Sequence, residues 1–403
     1  MRLAEIMALR QDVCAGVLVT LTERCPLHCA HCSFAAGLRG RHLDADHLLR
    51  FVSTLDRRRP PQLLMLTGGE PLLRPDLVAR TALAANTAGT RTAVLTGAFF
   101  ARGGDIPAPI RRAARAVDHL SLSLDVFHER EVPRADVFEV LRALLRDGTA
   151  TSLHVTGTGP DDPYLAEVTA QVETEFGEDV PMLVAGVQPL GRAASWAQAV
   201  PVADGSVAPC ATAAWPVIAV DGVVVACCNQ DVVDGRMRPD HLVLGDIARS
   251  DWADVQERAQ ARPVLRMVRT VGPLHIAARA QANCASHLAA AAPATGTTDT
   301  APHQLSPAVP HQPSDSPARQ LPIASVTHPA PPPSPTPSEP GSYCGTCHLL
   351  PHSPGALAWA TRAGSGPVGE LLQAAARDRS GGPQALLRRH GIPRYAHLVG
   401  GEA

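Results

Sequence analysis

From Ala15 to about Pro189 the chain alternates short aliphatic or β-branched runs with stretches that carry apolar residues at helical spacing. The candidate strands are Gly16–Leu21, Leu63–Thr67, Thr92–Thr96, Leu120–Leu124, Thr151–Thr156 and Met182–Val187. They are short and mostly apolar, as strands of a sheet covered by helices are. Candidate helices Ala45–Leu55, Pro75–Ala88, Ile110–Ala116, Val137–Asp147 and Leu165–Phe176 lie between them, several with Asp or Pro near the start. Six such units predict an α/β fold, a partial (β/α)6 TIM-type barrel over residues 1–192. In such barrels chemistry gathers at the C-terminal strand ends, where the following loops surround a ligand. The chemically suggestive residues obey this rule. Cys25, Cys29 and Cys32 follow the first strand, Gly68-Gly69-Glu70-Pro71 the second, Asp125 ends the fourth, and Pro189-Leu190-Gly191-Arg192 follows the sixth.

Beyond the barrel the pattern changes. Pro216–Val220 and Val223–Cys227 read as a β-hairpin, with Asp221-Gly222 supplying the turn dihedrals. Residues 193–285 make the first part of a small cysteine-rich extension. Residues 286–342, dominated by Ala, Pro, Ser, Thr and His, bury too little apolar surface to order themselves and read as a disordered insertion. Residues 343–403 close the extension with the pair Cys344 and Cys347 and add a tail with helices at Val368–Ala376 and Pro383–His390.

Composition narrows the function. Although 45% of the residues are hydrophobic, no uncharged apolar run approaches the roughly 20 residues that span a bilayer, so no membrane association is expected. The N-terminal stretch carries charges where a signal peptide needs an apolar core, which points to the cytoplasm. All 36 basic residues are Arg. A chain without lysine cannot form a pyridoxal Schiff base or a lysine-dependent P-loop, which excludes both enzyme classes. Net charge is −2 and no basic stripe interleaved with aromatics occurs, so nucleic acid is not an expected partner.

Ten cysteines without an export signal read as metal ligands or catalytic thiols, because the cytosol keeps thiols reduced. They fall into two groups: Cys14, Cys25, Cys29 and Cys32, then Cys210, Cys227, Cys228, Cys284, Cys344 and Cys347. Cys25, Cys29 and Cys32 lie close enough in one loop to ligate three corners of an iron–sulfur cubane, leaving the fourth iron open. Zinc prefers four ligands in paired spacing, which fits less well.

This CxxxCxxC spacing resembles the signature of the radical S-adenosylmethionine (SAM) superfamily. Gly68-Gly69-Glu70-Pro71 and the run from Ser121 through Ser123 to Asp125 stand where that family's other marks stand. The resemblance covers about Ala15 to Arg192. It implies a [4Fe-4S] cluster on Cys25, Cys29 and Cys32 whose open iron binds SAM, and reductive cleavage of SAM to a 5′-deoxyadenosyl radical that abstracts hydrogen from a substrate. It also implies SAM contacts from Gly68 and Gly69, which lack a Cβ and allow close backbone approach, and from Ser123, Asp125 and His31. Glu70 reads as a polar support of that loop and Pro71 as its stiffener. Capping of the next helix is the alternative role for Asp125, and His128 reads as a substrate contact or a surface residue.

Cys210, Gly222 and Cys227 resemble the opening of the SPASM and twitch extensions, and Leu244-Gly245-Asp246-Ile247 resembles the segment that follows it. With Cys344 and Cys347 they make one four-thiolate set, which implies a single auxiliary [4Fe-4S] cluster and leaves Cys228 and Cys284 as spare thiols. A structural zinc site is the alternative. Members with such extensions often modify ribosomally made peptides, so a peptide is the leading substrate class. The rivals are a small molecule, such as a sugar or cofactor precursor, and a non-catalytic iron–sulfur redox protein. A reductant such as flavodoxin or ferredoxin is expected. Because the cluster motif begins by residue 25, a peptide would call for a separate recognition protein.

Overall fold

Six parallel strands form in the predicted order, each within one residue of its predicted bounds: β1 Gly16–Thr20, β2 Leu63–Thr67, β3 Arg91–Thr96, β4 His119–Ser123, β5 Thr151–Gly157 and β6 Met182–Gly186. The computed structural model describes residues 1–55, 58–198, 207–279, 342–379, 381–382, 385, 387–388 and 391–400. Cys284, all of the 286–342 insertion except Ser342, and part of the expected Pro383–His390 helix lie outside the described residues. The strands are joined by helices α2 Ala45–Ser53, α3 Pro75–Thr87, α4 Ala108–Ala116, α5 Arg134–Arg146 and α6 Pro163–Phe176, and α1 Leu3–Ala8 precedes them. α4 and α6 start two residues earlier than their periodicity suggests, because a proline in the first turn lacks only an N–H that has no intrahelical partner there.

Register sorts the strand residues into two faces. Val17, Val19, Leu64, Leu66, Val94, Leu120, Leu122, Leu153 and Val155 are buried beneath the helices. The opposite, inner face carries Leu18, Met65, Leu95, Ser121, Ser123 and His154, all half-buried and aligned across the ladder. This curved, partly open inner face is that of a partial barrel. At the N-terminal strand ends Ile6 of α1 packs with Leu63, Ala93 and Trp215. Trp215 fills the space left by Gly16, where a Cβ would stand 2.4 Å from the indole, and its Nε1 donates to the Leu9 carbonyl at 3.0 Å. The end of the barrel away from the expected rim is thus closed by the N-terminal segment.

The hairpin forms as β7 Val217–Ile218 and β8 Val223–Val225, followed by β9 Val243–Asp246. Its loop has three residues, Val220-Asp221-Gly222, rather than an Asp-Gly pair. Gly222 N–H donates to Ala219 O at 2.9 Å and Gly222 takes φ +88°, the left-handed position of a three-residue hairpin loop. β7 pairs in parallel with β1, so the extension continues the barrel sheet in the order β6-β5-β4-β3-β2-β1-β7-β8-β9. Further helices are α7 Gln230–Val233, α8 Trp252–Ala261, α9 Pro263–Thr270, α10 (273–279), α11 Tyr343–Leu349, α12 Pro354–Gly364 and α13 Gly366–Arg379.

Candidate functional site

The loop after β1 is held in place by backbone contacts from two other strand ends. Gly69 N–H donates to Thr22 O at 2.7 Å and Glu70 N–H to Arg24 O at 2.8 Å, so the turn after β2 lies flat against the chain entering Cys25. This approach requires glycine. A Cβ on Gly68, at φ +133°, would fall 2.5 Å from Thr22 O, and one on Gly69 would fall 2.3 Å from Arg24 O. From the other side Arg192 donates through Nε to Cys29 O at 2.8 Å, through a terminal nitrogen to Ala36 O at 2.6 Å and through its backbone N–H to Cys32 O at 3.0 Å. Gly191 presses against the carbonyls of Cys32 and Ser33, 2.3 Å from where its Cβ would be. The motifs after β1, β2 and β6 therefore meet on one rim.

Cys25 and Cys29 are buried and Cys32 is half-buried. Cys25 Sγ accepts from Leu27 N–H at 3.4 Å. Burial pushes the Cys25 thiol up to about 12, and the neighbouring Glu70, Cys32 and Cys29 add to the shift. A thiolate here needs a cation beside it, which a metal centre supplies. No three sulfurs among the described cysteines lie within 4.8 Å of one another.

Glu70 is wholly buried and accepts from Leu72 N–H at 2.9 Å, Gly97 N–H at 2.9 Å and the Thr96 hydroxyl at 2.9 Å. Burial raises its pKa to about 7 against these hydrogen bonds. It ties the turn after β2 to the end of β3, and buried Pro71 starts the short 3-10 turn that follows.

Asp125 is also fully buried. Its Oδ1 accepts from the N–H groups of Phe127 at 2.9 Å and His128 at 3.0 Å, and its Oδ2 lies 2.8 Å from His128 Nδ1 and 3.6 Å from His31 Nε2. The carboxylate thus organises the turn after β4. Burial opposes charge on His128, but hydrogen bonds to Asp125 and Cys29 outweigh it and raise its pKa to about 10. His31, lowered to about 4 by burial against the pull of Asp125, stacks on Phe127 with centroids 4.6 Å apart, and Phe127 meets Trp196 at 5.6 Å. His31 Nδ1 is buried without a hydrogen-bond partner among the described residues. His31, Asp125 and His128 form the tightest group of metal-type donors among the described residues. Ser123, at the end of β4, stands opposite His154 in the middle of β5.

The second set of cysteines lies elsewhere. β7 runs parallel to β1, so Cys210, which precedes it, sits beyond the N-terminal ends of the strands. β8 runs back and delivers Cys227 to the same end. Cys227 Sγ accepts from Asn229 N–H at 3.3 Å, and Cys347 Sγ lies 3.6 Å from Nε2 of His241, just before β9. Tyr343, next to Cys344, donates its hydroxyl to Ala208 O at 2.5 Å. Burial raises Cys227, Cys344 and Cys347, Cys344 to about 11, and each also feels Cys210. Cys228 is half-buried beside Thr212. The two sets occupy opposite ends of β1.

Residues 19–171 match the family model described as the Radical SAM superfamily. Those residues belong to the radical SAM superfamily. Among curated proteins it is 40% identical over 112 residues to a PqqA peptide cyclase of Ruegeria pomeroyi, covering 27% of this chain and 28% of that protein. It is 34% identical over 114 residues to a PqqA peptide cyclase of Streptomyces rochei, covering 27% and 29%. A GTP 3',8-cyclase of Lactiplantibacillus plantarum is 30% identical over 117 residues, covering 28% and 33%. The matched part spans about a third or less of the length of each relative. Among solved structures, Streptococcus suis SuiB bound to S-adenosylmethionine superposes with TM-score 0.43 at 11% identity, covering 60% of this chain and 65% of SuiB. Native anSMEcpe with bound AdoMet and a peptide gives 0.42 at 12% identity, covering 60% and 80%. No helix among the described residues is long and apolar enough to cross a membrane.

Sequence reasoning missed two participants, His154 and Trp196. His154 sits in an apolar strand, yet its alternation places it on the inner face. His128, which the sequence leaves open between a substrate contact and a surface residue, is buried against Asp125 and Cys29. Trp196, which donates to Ala30 O at 3.3 Å, lies beyond every motif.

Proposed function

We propose that Cys25, Cys29 and Cys32 hold a [4Fe-4S] cluster with one open iron, that SAM binds beside it on the rim, and that the enzyme abstracts hydrogen from a peptide undergoing modification. The reading is carried by one observation, the meeting of the cysteine loop, the Gly68–Gly69 turn and Arg192 at the C-terminal ends of parallel strands. When bound, cluster and cofactor supply the 5′-deoxyadenosyl radical. The protein supplies position and exclusion of water.

Arg192 and the Gly68–Gly69 turn fix the backbone on which the three sulfurs converge. With the N–H groups of Gly69 and Glu70 committed to Thr22 and Arg24, the neighbouring carbonyls are the groups suited to accept from the cofactor's ammonium. His31, with its free Nδ1 and its stack on Phe127 and Trp196, offers a flat face and a polar edge for adenine. Asp125 supports the loop, and Ser123 beside His154 is the better placed group for ribose hydroxyls. Cys210, Cys227, Cys344 and Cys347 hold one auxiliary cluster at the other end of β1, with the inner barrel face between the two.

A peptide substrate is supported by the two peptide cyclases, a small-molecule substrate by the GTP 3',8-cyclase. Binding of a discrete peptide encoded beside the gene discriminates between them. Incubating the anaerobically reconstituted, reduced protein with SAM and a reductant such as flavodoxin should release 5′-deoxyadenosine, with about eight irons per chain. Replacing Cys25, Cys29 and Cys32 by Ala should remove roughly half of that iron and all cleavage. Cleavage that survived would defeat the assignment.

A further inference from the structure

We infer that Arg269 is the built-in counter-charge of the second cluster, placed to raise its reduction potential. The inference rests on reading Cys210, Cys227, Cys344 and Cys347 as cluster ligands. Arg269 lies on α9 and is only 8% exposed. One terminal nitrogen donates to Ala213 O at 3.4 Å and the other to Ala259 O at 2.7 Å, while Nε has no partner among the described residues. No carboxylate pairs with it among the described residues. Arg266, one turn earlier on the same helix, differs: it is equally buried but has Glu370 at 3.5 Å.

A buried cation held by carbonyls alone is costly, so a compensating anion is expected nearby. Cys14 and Cys210 are the acidic groups that act on Arg269, while Asp12 and Glu370, which line a cavity with it, are engaged with Arg377 and Arg266. Cys14 does not serve, because burial pushes its thiol up to about 12 and keeps it neutral. Cys210 does. Its N–H donates to Val268 O at 3.1 Å, the residue before Arg269, and the turn that follows it, Ala211–Ala213, is the one Arg269 grips. Cys210 and Arg269 also line one surface cavity of about 540 Å³.

Four thiolates around an iron–sulfur core leave a net negative charge, and reduction adds to it. A fixed guanidinium beside one ligand therefore stabilises the reduced form more than the oxidised form. Burial draws the guanidinium pKa down to about 10, so it stays charged at neutral pH. Arg269 is a positioning and tuning residue, since it acts through Cys210.

The test uses the full chain with Cys25, Cys29 and Cys32 replaced by Ala, which leaves the second cluster alone, and reads its midpoint potential by EPR-monitored redox titration. Arg269→Gln and Arg269→Met remove the charge with and without hydrogen bonding, so one folded neutral variant suffices. Arg269→Lys keeps the charge. The neutral variants should lower the potential by about 59 mV or more, a tenfold fall in the reduced-to-oxidised ratio at fixed potential. The lysine variant should stay near the parent. An unshifted potential in a neutral variant that retains its iron would overturn the inference, and so would a lysine variant that falls as far as the neutral ones. Absence of iron from the parent triple variant would instead defeat the second-cluster reading itself, and iron analysis separates the two failures.

Discussion

Arg192 is the side chain whose loss should reveal how the cysteine loop is held. It reaches the carbonyls of Cys29 and Ala36 at 2.8 and 2.6 Å with two guanidinium nitrogens. Hydrogen bonds from a charged donor contribute about 1.5–3 kcal/mol each. The guanidinium is half-buried, so the low end applies, and Arg192→Met should loosen the loop by about 3 kcal/mol. The backbone bond from Arg192 N–H to Cys32 O survives the change, so the loop should loosen without detaching. At about 1.4 kcal/mol per tenfold, the retention constant for a cluster on these cysteines should fall about 100-fold. The assay is iron loss to a chelator from the anaerobically reconstituted protein, compared with thermal unfolding of the same samples. Arg192→Lys should recover only part of the retention, because an ammonium lacks the planar fork that bridges two carbonyls. Iron retention equal to wild type in a normally folded Met variant would refute the clamp.

Gly69→Ala places a Cβ 2.3 Å from Arg24 O, backbone against backbone, and should cost about 1–3 kcal/mol or more, read as a lowered Tm. Glu70 gives a pH signature. Its folded pKa of about 7 lies above the ordinary value of 4.5 for a glutamate, so the folded chain keeps a proton that the unfolded chain has lost. Its contribution therefore makes stability fall as pH rises from about 4.5 to about 7 and stay level above that. Denaturant titrations across that window should show a flatter dependence in Glu70→Gln, and an unchanged slope would count against the raised pKa. Cys228→Ala should leave the iron content of the second set intact, whereas loss of that iron would make Cys228 a ligand.

Much of the barrel is legible in the sequence, because parallel strands buried on the helix side must be apolar and their helices must carry a stripe. Less legible is what covers the other side. His154 and Ser123 look like interruptions of apolar strands until register puts them on one inner face. The glycines after β2 suggest close approach to a ligand, but the nearest atoms are the carbonyls of Thr22 and Arg24, contacts between chain segments more than forty residues apart. Asp125 has the residue type for a ribose contact and also for a turn. The structure adds that its oxygens accept from two N–H groups and lie against the His128 imidazole. The Cys-bearing hairpin is readable from Asp221-Gly222, but its attachment to β1 depends on which edge is open, and local pattern carries no such information.

That attachment bears on how the two halves can be separated. β1 carries the cysteine loop at one end and has β7 along its flank, so a fragment ending at residue 192 would strip hydrogen-bonding partners from β1, the strand on which that loop is built. An unpaired, apolar edge is a template for aggregation. The extension is thus a sealing strip for the barrel as well as the carrier of the proposed second site, and residues 1–192 should not behave as an independent module.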